Sequence, residues 1–168
     1  LGTIESPGSA KISITGVGGA GTHSNDGVAI EGEVRSVTGE INITGTGGVG
    51  TDFLGEMGVT ISGANAKIAS KDGNISIFGT AGTGAGRFAG VGVGDAQIVS
   101  TGSAPISIEG VGGSGDIATV SLGGSVISSS TGTVRVTASA GDNPCAIGAT
   151  GIIDTSAGGA NIQLVADC

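Results

Sequence analysis

Tyrosine and tryptophan are absent from this chain, and phenylalanine occurs only at Phe53, Phe78 and Phe88. That leaves no aromatic platform on which sugar rings could stack. Lysine and arginine together number six against 14 acidic residues, a net charge of −8. A nucleic-acid partner, whose phosphates demand a basic patch, is argued against, and so is an anionic membrane surface. No apolar run approaches the roughly 18 residues of a membrane span, and no charged leader precedes an apolar stretch. We therefore expect neither membrane insertion nor a signal peptide, and a chain opening on Leu1 reads as a mature or excised product. The single histidine, His23, lies in the polar loop GTHSNDG with no cysteine nearby and reads as an exposed loop residue, not a catalytic one.

What the chain has in abundance is repetition. KISITGVGGAG at 11–21 returns as EINITGTGGVG at 40–50, NISIFGTAGTG at 74–84 and PISIEGVGGSG at 105–115, with weaker copies TVRVTASAG at 133–141 and NIQLVADC at 161–168. The first apolar residues of these copies (Ile12, Ile41, Ile75, Ile106, Val134, Ile162) are separated by 29, 34, 31, 28 and 28 residues. A period in that range, made of short strand-like pieces without helical patterning, is the signature of a solenoid. Each period holds three pieces, as in ISITG at 12–16, GVAIEG at 27–32 and EVRSVTG at 33–39, and all alternate apolar with polar. The expected fold is therefore all-β, a parallel β-helix of about five coils of roughly 30 residues, three short strands per coil. Five coils at about 4.8 Å each stand on the order of 24 Å tall.

The repeat runs from end to end and predicts one solenoid domain over 1–168. Its coils are expected near 9–38, 39–72, 73–102, 103–132 and 133–158, with partial coils at 1–8 and 159–168. Stacking the coils places Ile12, Ile41, Ile75, Ile106, Val134 and Ile162 in one interior column. Ile14, Ile43, Ile77, Ile108, Val136 and Leu164 form the next, because alternate side chains share a face. Gly16, Gly45, Gly79 and Gly110 recur at the first corner, where we expect a left-handed backbone to turn the chain.

Cys145 and Cys168 fall close together when the last copy is laid over the one before, so a disulfide pinning the final strand is expected, with two free buried thiols as the alternative. If the bridge forms, the compartment is oxidising. Two motifs are discounted. G-x-G-x-x-G occurs at Gly16/Gly18/Gly21, Gly45/Gly47/Gly50 and Gly110/Gly112/Gly115, but a strand follows where a helix should, and three copies of one turn mean repeat geometry. GGVGTD at 47–52 starts a calcium-binding nonapeptide, leaving Asp52 and Glu56 as a weak calcium candidate, since such sites need successive stacked copies. No cofactor and no other metal site are expected.

Enzymatic activity is not expected either. The outward columns of the first side read Lys11/Glu40/Asn74/Pro105/Thr133, Ser13/Asn42/Ser76/Ser107/Arg135 and Thr15/Thr44/Phe78/Glu109/Thr137, with no carboxylate pair standing together. Polysaccharide binding or degradation is the main alternative reading. Ice binding is a further one, though Phe78 and Glu109 interrupt the threonine column. Asn42-Ile-Thr44 and Asn74-Ile-Ser76 match the glycosylation triplet but lie inside strands.

G-x-I-x-I-T-G-x-G-G-x-G followed by G-V-x-I-x-G, at 39–50 and 58–63, resembles the repeat regions of filamentous-haemagglutinin-like exoproteins and related bacterial surface adhesins. That resemblance implies a right-handed parallel β-helix, secretion to the cell surface and a role in adhesion or fibre building. The expected function is accordingly a non-catalytic extracellular structural protein, a subunit or segment of a surface fibre. Neither end of the chain carries an amphipathic helix or an obvious charged edge, so we expect head-to-tail self-association or continuation into a longer solenoid. A surface glycan or receptor would be met at the longest corner loops, 45–58 and 79–90.

Overall fold

The computed structural model describes residues 2–51, 55–84, 88–112, 118–139, 146–155, 158 and 160–167. These form strands and turns with no helix among them. In chain order the strands are β1 (Thr3–Ser6), β2 (Ile12–Val17), β3 (Ala20–Gly21), β4 (Val28–Ile30) and β5 (Glu33–Ser36). Next come β6 (Ile41–Thr46), β7 (Val49–Gly50), β8 (Val59–Ser62), β9 (Lys67–Ser70), β10 (Ile75–Thr80), β11 (Thr83–Gly84), β12 (Val91–Gly94) and β13 (Gln97–Ser100). The series ends with β14 (Ile106–Val111), β15 (Val120–Gly123), β16 (Val126–Ser129), β17 (Val134–Ser139), β18 (Ile147–Ala149), β19 (Ile152–Asp154) and β20 (Ile162–Asp167).

Every pairing is parallel and joins a strand to its counterpart in the next coil. The result is a β-solenoid of about five turns of roughly 29 residues. Side one is the six-stranded sheet β2-β6-β10-β14-β17-β20, side two the five-stranded sheet β4-β8-β12-β15-β18, and side three the six-stranded sheet β1-β5-β9-β13-β16-β19. A fourth, very short side, β3-β7-β11, lines the glycine corner of the first three coils. The rest of each coil supplies the crossover that parallel strands need, so no helix is required.

The side-one register aligns Ile12, Ile41, Ile75, Ile106, Val134 and Ile162, and beside them Ile14, Ile43, Ile77, Ile108, Val136 and Leu164. From Ile41 to Val136 these residues are buried and meet the inward columns of side two (Val28, Val59, Val91, Val120) and side three (Val34, Ile68, Ile98, Ile127) in one hydrophobic cluster. Burial of each such side chain contributes about 1.5–3 kcal/mol, which is where the fold gets its stability.

The corner glycines serve a purpose other than the one expected. Gly16, Gly45, Gly79 and Gly110 lie inside β2, β6, β10 and β14, and none takes a positive φ. They are small because a Cβ would run into the opposite wall of the coil: the carbonyl of Gly27 at Gly16, of Gly58 at Gly45, of Gly90 at Gly79 and of Thr119 at Gly110. Three of those carbonyls are already engaged, since Val28 N donates to Gly58 O and Val59 N to Gly90 O, both at 3.0 Å, and Gly90 N to Thr119 O at 2.9 Å. Close approach, not a left-handed turn, fixes glycine there. The left-handed conformation is taken instead by Ser24, Gly63, Asp95 and Gly124.

Side three ends in an interior column of hydroxyls: Ser6, Ser36, Ser70, Ser100, Ser129 and Thr155 are all buried. They sit where the chain turns toward side one, and the hydroxyls of Ser6, Ser100, Ser129 and Thr155 tie down carbonyls of that turn. Ser6 Oγ donates to Ala10 O at 2.7 Å, Ser129 Oγ to Ala104 O at 3.1 Å and Thr155 Oγ1 to Ala160 O at 2.7 Å. A buried carbonyl with no β-ladder partner needs such a donor.

Candidate functional site

Few of the residues with chemical potential are brought together. His23 is exposed in its loop, with Nδ1 3.0 Å from Thr22 Oγ1. Glu56 is fully buried under the glycine corner, where Asn25 Nδ2 donates to its Oε1 at 3.5 Å. Its companion in the calcium candidate, Asp52, lies outside the described residues, as do Cys145 and Cys168. Among the described residues no three His, Cys, Asp or Glu side chains stand close enough to hold a metal ion. Phe78 is on the outer face of β10, whereas Phe88 is packed in the interior and Phe53 is outside the described residues.

The glycine motifs have their amides committed elsewhere. Gly18 N donates to Thr46 O, Gly47 N to Thr80 O, Gly48 N to Asn25 O and Gly112 N to Ser139 O, at 2.7–3.1 Å. A phosphate cradle needs such amides converging on a ligand. Here they hydrogen-bond the neighbouring coil.

Charged groups lie on the outer faces of the first coils, mostly as exposed ion pairs. Arg35 meets Glu5 at 2.8 Å and Glu33 at 3.9 Å, and Lys11 meets Glu40 at 3.4 Å. Two carboxylates act as struts between coils. Asp26 accepts from Met57 N and Thr60 Oγ1, both at 2.9 Å, and Asp72 Oδ1 accepts from Ser103 N and Ser103 Oγ, both at 3.1 Å. The Ser103 amide is the main reason the Asp72 carboxyl is held below its ordinary value. A shallow hollow on the outside of side three is lined by Val99, Ser100, Thr101, Ser128, Ser129, Ser130 and Asp154.

The features that set the molecule apart from a closed globule are its two coil edges. At one edge lie β1, β2 and β4; at the other, β18, β19 and β20. Ile4 belongs to the column of Val34 yet is 49 % exposed, and Ile162 and Leu164 belong to the columns of Val134 and Val136 yet are 43 % and 54 % exposed. Inside the stack the same columns are 0–2 % exposed from coil two onward. The edges therefore present core-type side chains and strand hydrogen-bonding groups together, the combination that pairs with another strand.

No family model matches the chain, and no curated protein or solved structure is similar to it at a meaningful level. The architecture itself defines the class: a β-solenoid repeat protein of about five coils.

Proposed function

We propose that this chain is a non-catalytic structural element of an extracellular bacterial surface fibre, built from stacked β-solenoid coils and serving adhesion or matrix formation. The observation carrying this reading is the exposure of Ile4, Ile162 and Leu164, interior positions left half open at the coil edges. Such edges are stacking surfaces, whether the next coil is supplied by the same polypeptide or by another copy. The G-x-I-x-I-T-G-x-G-G-x-G repeats add their resemblance to filamentous-haemagglutinin-like adhesins, and the acidic, aromatic-poor composition suits an inert rod better than a binding cleft. Contacts with a surface glycan or receptor fall to the corner loops 45–58 and 79–90, which vary in length while the scaffold repeats.

Electron microscopy of the purified, unreduced protein over a concentration series tests this. Filaments or uniform narrow rods support a fibre element, filaments marking a polymerising subunit and rods a stalk segment. Release of new sugar ends from a panel of acidic polysaccharides would overturn the non-catalytic reading.

A further inference from the structure

We propose that Asp72 and Gly73, in the corner between β9 and β10, form a site of spontaneous isoaspartyl conversion, and that Asp26 and Gly27, the other Asp-Gly pair of the sequence, are locked against it. The conversion needs no enzyme. The Gly73 nitrogen attacks Cγ of Asp72; a C–N bond forms, a Cγ–O bond breaks, and the oxygen leaves as water with the amide proton and one from solvent. Water then opens the five-membered succinimide. Opening at the main-chain carbonyl leaves the chain running through Cβ and Cγ, one methylene longer, with the carboxylate now on Cα. Attack requires an amide that is not held elsewhere and a carboxyl able to swing onto it.

The fold demands glycine at both pairs, and glycine is the residue that hinders this attack least. A Cβ at Gly73 would fall on the carbonyl of Gly39, and one at Gly27 on the backbone of Thr46 and Gly58. The two pairs differ in what holds the reacting groups. Gly27 N donates to Met57 O at 3.0 Å, and both Asp26 oxygens are taken at 2.9 Å, Oδ1 by Met57 N and Oδ2 by Thr60 Oγ1. At the corner glycines equivalent to Gly73 the amide is also held: Gly39 N donates to Gly8 O at 3.1 Å, and Gly132 N to Ser129 Oγ at 3.0 Å. Gly73 N makes no such bond among the described residues. Ser70 Oγ, placed before Gly73 as Ser129 is before Gly132, is correspondingly without a hydrogen-bond partner.

Only the Ser103 contact restrains the Asp72 carboxyl from the neighbouring coil. Ser103 N and Oγ both reach Oδ1 at 3.1 Å, while Oδ2 lies 3.7 Å from Lys71 Nζ in an exposed pair. The strut is therefore a brake on the reaction as well as a tie between coils. Conversion destroys it, because the carboxylate leaves the side chain that Ser103 holds and the corner gains a methylene. Ser103→Ala removes one of the two bonds and should raise the conversion rate about three- to tenfold.

The test is to age the folded protein near neutral pH and label it with a protein isoaspartyl methyltransferase, mapping the label to peptides. Asp72→Glu, whose attack would have to close a six-membered ring, and Ser103→Ala are treated alike, with thermal melting to verify folding. The same protein unfolded in urea gives the reference in which both Asp-Gly pairs convert. Label at Asp72 but not Asp26 in the folded protein, absent in Asp72→Glu and faster in Ser103→Ala, supports the proposal. Equal labelling of the two pairs in the folded protein overturns it, as does label confined to the urea-treated sample. An unchanged rate in Ser103→Ala overturns the role of the strut as a brake.

Discussion

Gly79 offers the most direct test of how the coil is held closed. A methyl group at this position would fall on the carbonyl of Gly90 and against Val91 Cγ2. The carbonyl must retreat by more than 1 Å to reach ordinary contact, and it cannot do so freely because it accepts the inter-coil hydrogen bond from Val59 N. Overpacking of this kind costs about 1–3 kcal/mol, and a buried amide deprived of its acceptor costs a similar amount. We expect Gly79→Ala to destabilise by about 3 kcal/mol, or roughly 6–12 °C in melting temperature for a chain of this length. Gly94 is the matched control. It also lies in a strand, its φ is not left-handed, and nothing stands within 4 Å of where its Cβ would be. Gly94→Ala should be neutral or raise stability by about 0.5 kcal/mol, through the reduced freedom of the unfolded chain. Thermal unfolding followed by circular dichroism measures both. Equal melting temperatures for the two variants would refute the close-approach account of the corner glycines.

Three further outcomes are expected. Ile43→Asp places a charge in the buried side-one column and should unfold the protein, whereas Asn42→Asp, one residue earlier on the outer face, should leave the far-ultraviolet spectrum and melting point nearly unchanged. Ser129→Ala strands Ala104 O and Gly132 N, bonded to the hydroxyl at 3.1 and 3.0 Å, and should cost about 2 kcal/mol in urea unfolding; Ser70→Ala, whose hydroxyl has no hydrogen-bond partner, should cost under about 0.5 kcal/mol. Because Asp72 is more acidic folded than unfolded, its contribution is full above the ordinary carboxylate value and is lost as pH falls through the lowered one. The urea midpoint of Asp72→Ala should therefore lie below wild type at neutral pH and converge with it in acid; a constant offset down to about pH 2 would rule out the Ser103 contact as the source.

The period and the inward columns were legible because they depend on local alternation repeated at a fixed spacing. Aligning Ile12 with Ile41, Ile75 and Ile106 requires only that one copy resemble the next, and the ladder carries the same pairs. The corner was less legible. Ala20–Gly21, Val49–Gly50 and Thr83–Gly84 are two-residue strands, too short to alternate, so the fourth side left no period-two signal. The reason for Gly16, Gly45 and Gly79 was hidden too, because the obstructing carbonyl comes from a residue more than ten positions further on. The hydroxyl column was within reach: TIES, EVRS, KIAS, QIVS and VISS all end in serine at one register position. It was missed because a serine at the end of a strand reads as a solvent-facing turn residue. Only the geometry of the turn shows that the side chain points inward.

These details bear on how a chain this poor in aromatic and cationic residues holds a stack of coils together. Its contacts are almost all between one coil and the next, so stability grows by repetition and does not depend on closing a globule. The struts Asp26 to Met57 and Thr60, and Asp72 to Ser103, span adjacent coils and sit at the corners, where loop lengths differ. They hold neighbouring coils in register without fixing what the loops contain. The outer columns are released from any packing duty: Thr15, Thr44, Phe78, Glu109, Thr137 and Val165 share one column with no common chemistry, while the inner columns beside it are uniformly aliphatic. An interior this constrained beside an exterior this free lets a stack gain coils by repeating one inward pattern, whatever its outer columns carry.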